Sequence, residues 1–205
     1  MITVFLIGNI ASGKSTAARY LEACGARRID LDVLAKELYV PGSKIVREIA
    51  REFGSDVIDE RGSVITSVLA ARAFKDAEAT ARLESIVYPA LTERLEELLN
   101  GPSDAPLTIV EVSAPVSFAD SFKLADAVLA ITASRSVRRE RAISRGMKPE
   151  DFDARSSVQL SESSLCALAT SVISNDAGSE ELYRKLDRWL SKTCPQLVSN
   201  GDAHA

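Results

Sequence analysis

The chain has 205 residues, which is enough for one domain with a full hydrophobic core. Hydrophobic residues make up 46% of it and charged residues 26%, the balance of a soluble globular protein. The formal net charge of -4 argues against broad electrostatic binding to nucleic acid and favours a small-molecule substrate. No apolar run approaches the ~20 residues of a membrane span, so we expect a cytoplasmic protein without a membrane partner.

Zinc and disulfide chemistry are not expected. The three cysteines are scattered and form no C-x-x-C pair, which indicates buried or incidental thiols of a reduced compartment. The one histidine, His204, lies in the final polar segment SNGDAHA. Zinc binding and histidine acid–base catalysis are therefore almost excluded.

Five short segments, most of them apolar and rich in β-forming residues, predict strands. They are residues 2–7, 26–30, 107–112, 127–132 and 171–173. Helical spacing predicts helices between them, at residues 14–23, 44–53 after the N-cap Ser43, 64–74, 77–87, 89–99, 135–145 and 149–159, with a last helix capped by Ser179. Pro89 is expected to start a new helix at its first turn.

The alternation of strands and helices predicts an α/β fold, with a parallel five-stranded sheet between two helical layers. Ligands of such sheets bind beyond the carboxyl ends of the strands. Four polar stretches fall at predicted strand ends: Ile7-Gly8, Asp30 to Asp32, Glu111 to Pro115, and Asn175. We expect one pocket to collect them.

The segment GNIASGKS at residues 8–15 fits the phosphate-binding pattern G-x-x-x-x-G-K-[ST]. Glycine lets the loop turn so that successive N–H groups face phosphate oxygens at the start of a helix. Lys14 supplies a cation for the β- and γ-phosphates, and Ser15 offers a hydroxyl to Mg²⁺. A chance match is the alternative, but the motif follows a buried strand and opens a helix. The sequence thus predicts a P-loop for ATP or a related nucleotide, formed by Gly8, Asn9, Ile10, Ala11, Ser12, Gly13, Lys14, Ser15 and Thr16.

Three carboxylates are candidates for the chemistry beside this loop. Asp30 and Asp32 follow the second strand, either as helix-capping groups or as a pair in which one accepts the proton of an acceptor hydroxyl. Glu111 lies inside an apolar strand. It either accepts hydrogen bonds from the water shell of Mg²⁺ or pairs with an arginine of a lid, which we expect at about residues 138–159.

Four arginines crowd one predicted helix: Arg138, Arg139, Arg141 and Arg145. A solvated basic face is the alternative interpretation. Because the net charge is acidic and a triphosphate site is implied, we expect at least one of them over the transferring phosphoryl group. Arg141 and Arg145 are spaced i, i+4 and share a face.

In these motifs the chain resembles the dephospho-coenzyme A kinases, a P-loop family in the nucleoside-monophosphate-kinase-like branch. The likeness runs from Ile2 to about Leu190. The matching residues are the loop at 8–16, Ile29-Asp30-Leu31-Asp32 with Ala35, Pro41-Gly42, the lid residues Arg141, Arg145 and Gln159, and Ile173-Ser174-Asn175 with Gly178-Ser179.

The resemblance implies transfer of the ATP γ-phosphate to the 3′-hydroxyl of dephospho-CoA, with Mg²⁺. It implies that Asp32 is the acceptor-side base and that Lys14 and Arg141 stabilise the transferring group. We also expect Arg138, Arg145 and Asn175 to contact the nucleotide, and Asp30, Tyr88 and Glu111 to contact the acceptor.

Several positions depart from the family pattern, mostly on the acceptor side. The usual V-H-P is Val87-Tyr88-Pro89, and P-L-L-F-E is replaced by residues 113–118 without a matching glutamate. Arg138 stands where a glutamine is usual, and Asn9 and Ala11 where glycines are common. Two alternatives follow: a P-loop kinase for a nucleoside, a nucleotide or another small-molecule hydroxyl, and a nucleotide-binding protein that has lost transfer.

The predicted organisation is one kinase domain over residues 1–192. Within it we expect an acceptor-binding helical region at about 33–100 and a lid at about 138–159. Residues 193–205 are predicted to be a polar, flexible tail. The sequence does not indicate the oligomeric state.

Overall fold

A computed structural model describes residues 1–198 and divides the chain into two compact units. One unit comprises Met1–Asp30 and the chain from Pro102 onward, and the other is Leu31–Gly101. The second unit coincides closely with the helical region predicted at 33–100. Within residues 1–198, none of the helices combines the length and the apolar character needed to cross a bilayer.

The first unit is built on a parallel five-stranded sheet, as predicted. Its strands are β1 (Ile2–Ile7), β2 (Arg27–Asp30), β3 (Leu107–Val112), β4 (Ala127–Thr132) and β5 (Ser171–Ser174). Their order across the sheet is β2-β3-β1-β4-β5. β1 is therefore central, with Ile7 opposite Val112 of β3 and Ala130 of β4. The carboxyl ends of β1, β3 and β4 thus lie side by side.

Helices cover both faces of this sheet and give the three-layer α/β arrangement. One face packs against α1 (Lys14–Ala23), α9 (Ser179–Thr193) and α10 (Pro195–Val198), whose buried side chains join those of the strands in one core. On the other face, Phe5 meets the rings of Phe118 and Phe122 at centroid distances of 6.3 and 5.4 Å. The unit also contains α6 (Arg135–Ser144), α7 (Pro149–Ser157) and α8 (Glu162–Ala167).

The second unit is helical and has its own core. Its α-helices are α2 (Leu31–Glu37), α3 (Lys44–Phe53), α4 (Thr66–Ala73) and α5 (Ala77–Asn100). Ser43 caps α3, as predicted, by accepting a hydrogen bond from the Val46 amide. The buried residues of its core are Ile49, Phe53, Val57, Leu69, Ala73, Ala79, Leu83 and Val87.

The prediction that Pro89 starts a new helix is wrong, because α5 runs through it for 24 residues. A proline inside a helix removes one backbone hydrogen bond. The buried residues on either side share one four-residue spacing: Ala79, Leu83, Val87, Leu91 and Leu95. This apolar stripe keeps its phase across the proline, so side-chain packing holds both halves in a single helix.

Two other helix starts differ from prediction. α4 begins at Thr66 rather than 64, since Val64 forms a β-bridge with Ile58. Ser179 is the first residue of α9 and not its cap; Gly178 precedes it with φ 106° and no side-chain cap bond. Three helices, α2, α8 and α10, were not predicted, because each spans less than two turns and shows little periodicity.

The predicted flexible tail is wrong for residues 193–198. Thr193 ends α9, and α10 follows with Cys194 and Leu197 buried in the core of the first unit. Leu197 Cδ2 lies 3.2 Å from the point where a β-carbon on Gly25 would stand. Apolar contact therefore orders this segment. Residues 199–205, which include His204, lie outside the described residues.

If the contact of Leu197 stabilises the first unit, Leu197→Ala should lower the free energy of unfolding by about 2–5 kcal/mol, the usual cost of a cavity at a buried leucine. Urea unfolding followed by circular dichroism measures it. Gln196→Ala, at an exposed neighbouring position, should change that free energy by less than about 0.5 kcal/mol. Equal effects of the two substitutions would contradict the packed position of α10.

Candidate nucleotide-phosphate site

The predicted phosphate loop connects β1 to α1. The Ser12 amide donates to the carbonyl of Asn9 at 3.0 Å and closes a tight turn. Ala11 and Gly13 lie in the left-handed region, with φ 60° and 102°. α1 begins directly afterwards at Lys14, so its first N–H groups have no partner within the helix. The positive end of α1 and these amides form an anion site.

Space restricts two positions of the loop to glycine, and at Gly13 the backbone conformation, with φ 102°, adds a second restriction. A β-carbon on Gly8 would lie 2.6 Å from Ser12 Oγ and 2.8 Å from the carbonyl oxygen of Ile131. A β-carbon on Gly13 would lie 2.2 Å from Asn175 Nδ2. Contacts this short do not occur in proteins without displacement of the neighbour, so the loop closes around these two positions.

Lys14, Ser15 and Glu111 form the polar cluster beside the loop. Lys14 Nζ donates to Ser113 Oγ at 2.9 Å and lies 3.8 Å from Glu111 Oε2. The hydroxyl of Ser15 donates to the same carboxylate oxygen at 2.8 Å. Glu111 is buried, and the register of the sheet sets it opposite Leu6 of β1. The lysine, the hydroxyl and the carboxylate predicted from the sequence therefore lie together.

The arginine that pairs with Glu111 is Arg28 of β2 and not a lid arginine. Its Nε and Nη2 each lie 2.6 Å from Glu111 Oε1, and Nη2 lies 3.5 Å from Asp30 Oδ2. Partial burial lowers the pKa of Arg28, but the hydrogen bond and charge of Glu111 outweigh it and hold the pKa above its ordinary value. Arg28 thus compensates the buried charge of Glu111 and places Asp30 in the same network.

The arginines of the predicted basic helix, α6, lie in different environments. Arg139, together with Arg135, pairs with Asp153 of α7, and Arg145 is exposed. Arg138 is buried, and this burial lowers the pKa of its guanidinium. Arg141 Nη1 is buried and has no hydrogen-bond partner among residues 1–198. Of these side chains, Arg141 therefore has a buried donor that an anionic ligand would satisfy.

Asn175 supports the loop from the end of β5. Its backbone amide donates to the carbonyl of Thr132, and its side-chain Nδ2 donates to the carbonyl of Ser12 at 2.8 Å. Asn175 is buried, and its Oδ1 has no partner within the described part of the chain. The side chain predicted to contact the nucleotide is thus in direct contact with the phosphate loop.

Asp32 and Tyr88 belong to the helical unit. Asp32 lies in the first turn of α2 and is exposed. Tyr88 is half-buried on α5, and its hydroxyl donates to Glu84, one turn earlier, at 3.1 Å. Their predicted roles toward an acceptor stay predictions.

The sequence reasoning missed Arg28 and the part played by Ser113. A signal for Arg28 was present, because it precedes Asp30 by two residues and alternate residues of a strand share a face. Ser113 gave none. Its contact with Lys14 depends on the pairing of β1 with β3, which brings together residues 99 positions apart.

The chain is similar to known proteins over most of its length. The dephospho-CoA kinase family matches residues 2–181. The dephospho-CoA kinase of Aquifex aeolicus is 34% identical over 188 residues, covering 92% of this chain and 95% of that protein. That of Anaeromyxobacter dehalogenans is 37% identical over 195 residues, covering 93% and 92%. The crystal structure of TT1252 from Thermus thermophilus superimposes with a TM-score of 0.78 at 30% identity, covering 94% of this chain and 97% of that one.

Gly13→Ala should distort the loop, because the new methyl group collides with Asn175 in addition to the strain of a positive φ. We expect it to abolish binding of an ATP analogue in titration calorimetry. Gly42→Ala is the matched control, since Gly42 has φ 75° but nothing within 4 Å of its β-position. It should lower stability by about 1–2 kcal/mol and leave nucleotide affinity unchanged. Loss of binding in both variants would show that the collision is not the cause.

Proposed function

Because the chain belongs to the dephospho-CoA kinase family, we propose that it transfers the γ-phosphoryl group of ATP to the 3′-hydroxyl of dephospho-CoA, giving coenzyme A. The observation that carries this proposal is the contact of Lys14 and Ser15 with the buried Glu111 beside the phosphate loop. A kinase of this kind acts on small molecules, and we propose that it works in the cytoplasm without a nucleic-acid partner.

The residues beside the loop fit Mg²⁺. This ion prefers hard oxygen ligands and keeps several of its waters. The hydroxyl of Ser15 and the carboxylate of Glu111 are such groups, and they lie within hydrogen-bond distance of each other. We assign Ser15 as a direct ligand and Glu111 as the acceptor of bonds from the ion's water shell. When bound, the ion would neutralise charge on the β- and γ-phosphates.

Lys14 and Arg141 supply the positive charge that phosphoryl transfer requires, since most of the catalysis in this reaction is positioning and charge stabilisation. Lys14 is held by the neutral hydroxyl of Ser113, at 2.9 Å, and by Glu111 at the longer distance of 3.8 Å. Phosphate oxygens would replace the hydroxyl as a stronger acceptor. Arg141 has a buried donor without a partner among the described residues, and we assign it to the same phosphoryl group.

Asp32 is the proposed acceptor-side base, and Asp30 and Tyr88 are proposed to contact the acceptor. A carboxylate in this role positions the attacking hydroxyl and accepts its proton. Asp32 is exposed in the first turn of a helix and therefore accessible to a ligand. Tyr88 offers a hydroxyl that keeps the hydrogen-bonding capacity of a histidine without its charge.

The acceptor is tested by coupled release of ADP with a panel of coenzyme A precursors, nucleosides and nucleotides. We expect turnover with dephospho-CoA and a loss of about 10²–10³-fold in kcat for Lys14→Ala, since a preorganised positive group is removed. Lys192→Ala, at an exposed position on α9, is the control. Turnover confined to a nucleoside or nucleotide would replace the proposed acceptor with the alternative kinase function.

Asp32→Asn separates a kinase from a nucleotide-binding protein that has lost transfer. We expect kcat to fall by about 10²-fold, as for loss of a general base, while the Kd of an ATP analogue stays the same. Glu37→Gln, an exposed carboxylate on the same helix, should leave both unchanged. Wild-type turnover in Asp32→Asn would refute its role as the base.

A further inference from the structure

The start of the phosphate loop is held by the segment between α7 and α8, residues 158–161. The amide of Ile10 donates to Gln159 Oε1 at 2.9 Å. The side chain of Asn9 donates through Nδ2 to the carbonyl of Leu160, also at 2.9 Å. Both bonds join positions about 150 residues apart in the chain. The loop is therefore attached to the C-terminal end of the predicted lid.

A third contact reaches the other side of Ile10 from α6. The guanidinium of the buried Arg138 donates through Nε to the carbonyl of Ala133 at 3.1 Å. Its Nη1 reaches the carbonyl of Ile10 at 3.4 Å, a longer and weaker bond. The same guanidinium lies 5.8 Å from the ring centroid of Phe152, which is fully buried on α7. Both the N–H and the C=O of Ile10 thus bond to side chains from the 138–159 region.

The contacts of Ile10 constrain the conformation of the next residue, Ala11. Ala11 has φ 60°, a conformation that L-amino acids other than glycine, asparagine and aspartate adopt rarely. Such a residue keeps this conformation when its neighbours hold it there. Bonds to both polar groups of Ile10 prevent the preceding peptide from rotating, so Ala11 stays in the turn that aims the next amides at the phosphates.

We propose that Gln159 is a positioning residue of the ATP site: it acts through the amide of Ile10 to hold the phosphate loop in its binding shape. The inference rests on the proposed function in so far as ATP is the ligand of the loop. Gln159 therefore contributes to the affinity for the nucleotide and not to the binding of the acceptor. The bond of Gln159 also connects the loop to the segment that follows α7, so that local unfolding of this segment would release the loop.

The chemistry of the contact distinguishes two substitutions. The amide of Ile10 requires an acceptor, which the side-chain oxygen of glutamate supplies as well as that of glutamine. Gln159→Glu should therefore keep the hydrogen bond, but it brings a negative charge to a loop that binds phosphates. Gln159→Leu keeps the approximate size and removes the acceptor. Val158→Ala, at a side chain that is 86% exposed in the same segment, is the control.

The test measures hydrogen exchange of the Ile10 amide by NMR in the nucleotide-free protein, and the Kd of a non-hydrolysable ATP analogue by calorimetry. Loss of one hydrogen bond corresponds to a change of about three- to tenfold. We expect Gln159→Leu to speed exchange at Ile10 and to raise the Kd, each by about that factor, with kcat at saturating ATP within about twofold of wild type. Gln159→Glu should keep the exchange rate of wild type while its Kd rises. Val158→Ala should change neither.

Two results would overturn the proposal. One is unchanged exchange at Ile10, or an unchanged Kd, in Gln159→Leu. The other is faster exchange throughout the first unit in both Gln159 variants, which would indicate general destabilisation and not a specific bond. The exchange rate and the Kd are both measured without an acceptor, so these two outcomes stand even if dephospho-CoA proves not to be the substrate.

Discussion

The buried carboxylate of Glu111 joins the parts of the phosphate site. One oxygen accepts from Ser15 and faces Lys14, and the other accepts from Arg28. A buried charge is stable only when it is paired and hydrogen-bonded, and removal of one partner is strongly destabilising. The loop, β2 and β3 are thus tied together by one ionic group. The two groups that would contact phosphate and metal, Lys14 and Ser15, are oriented by it.

The loop is held from three directions, which explains how a segment with two left-handed residues keeps a single shape. The cluster around Glu111 orients the first residues of α1. Asn175 holds the Ser12 carbonyl from the end of β5, and Gln159 holds the Ile10 amide from the segment after α7. Preorganisation of this kind keeps amide dipoles aimed at the place where charge develops, so little reorganisation is needed when the nucleotide binds.

Local sequence patterns predicted most of the secondary structure of this chain. The bounds of β1, α1, α3, β3 and β4 follow directly from apolar runs and helical spacing, because each element buries a continuous face of its own sequence. The same reasoning was wrong at Pro89 and at residues 193–198. At Pro89 a local breaker signal was outweighed by an apolar stripe that packs continuously. At residues 193–198 the polar composition of the whole segment 193–205 concealed Cys194 and Leu197, whose burial depends on residues far away in the chain.

The sequence by itself determined the donor side of the site. The spacing of residues 8–16, after a buried strand and before a helix, specifies a phosphate loop because its chemistry is local to nine consecutive residues. Only the tertiary structure decided which side chains hold that loop. Ser113 and Gln159 reach Lys14 and Ile10 of the loop from 99 and 149 positions away, and Arg28 holds Glu111 from 83 positions away. Such contacts are set by the strand order β2-β3-β1-β4-β5 and by the packing of α7, neither of which has a period or a motif in the sequence.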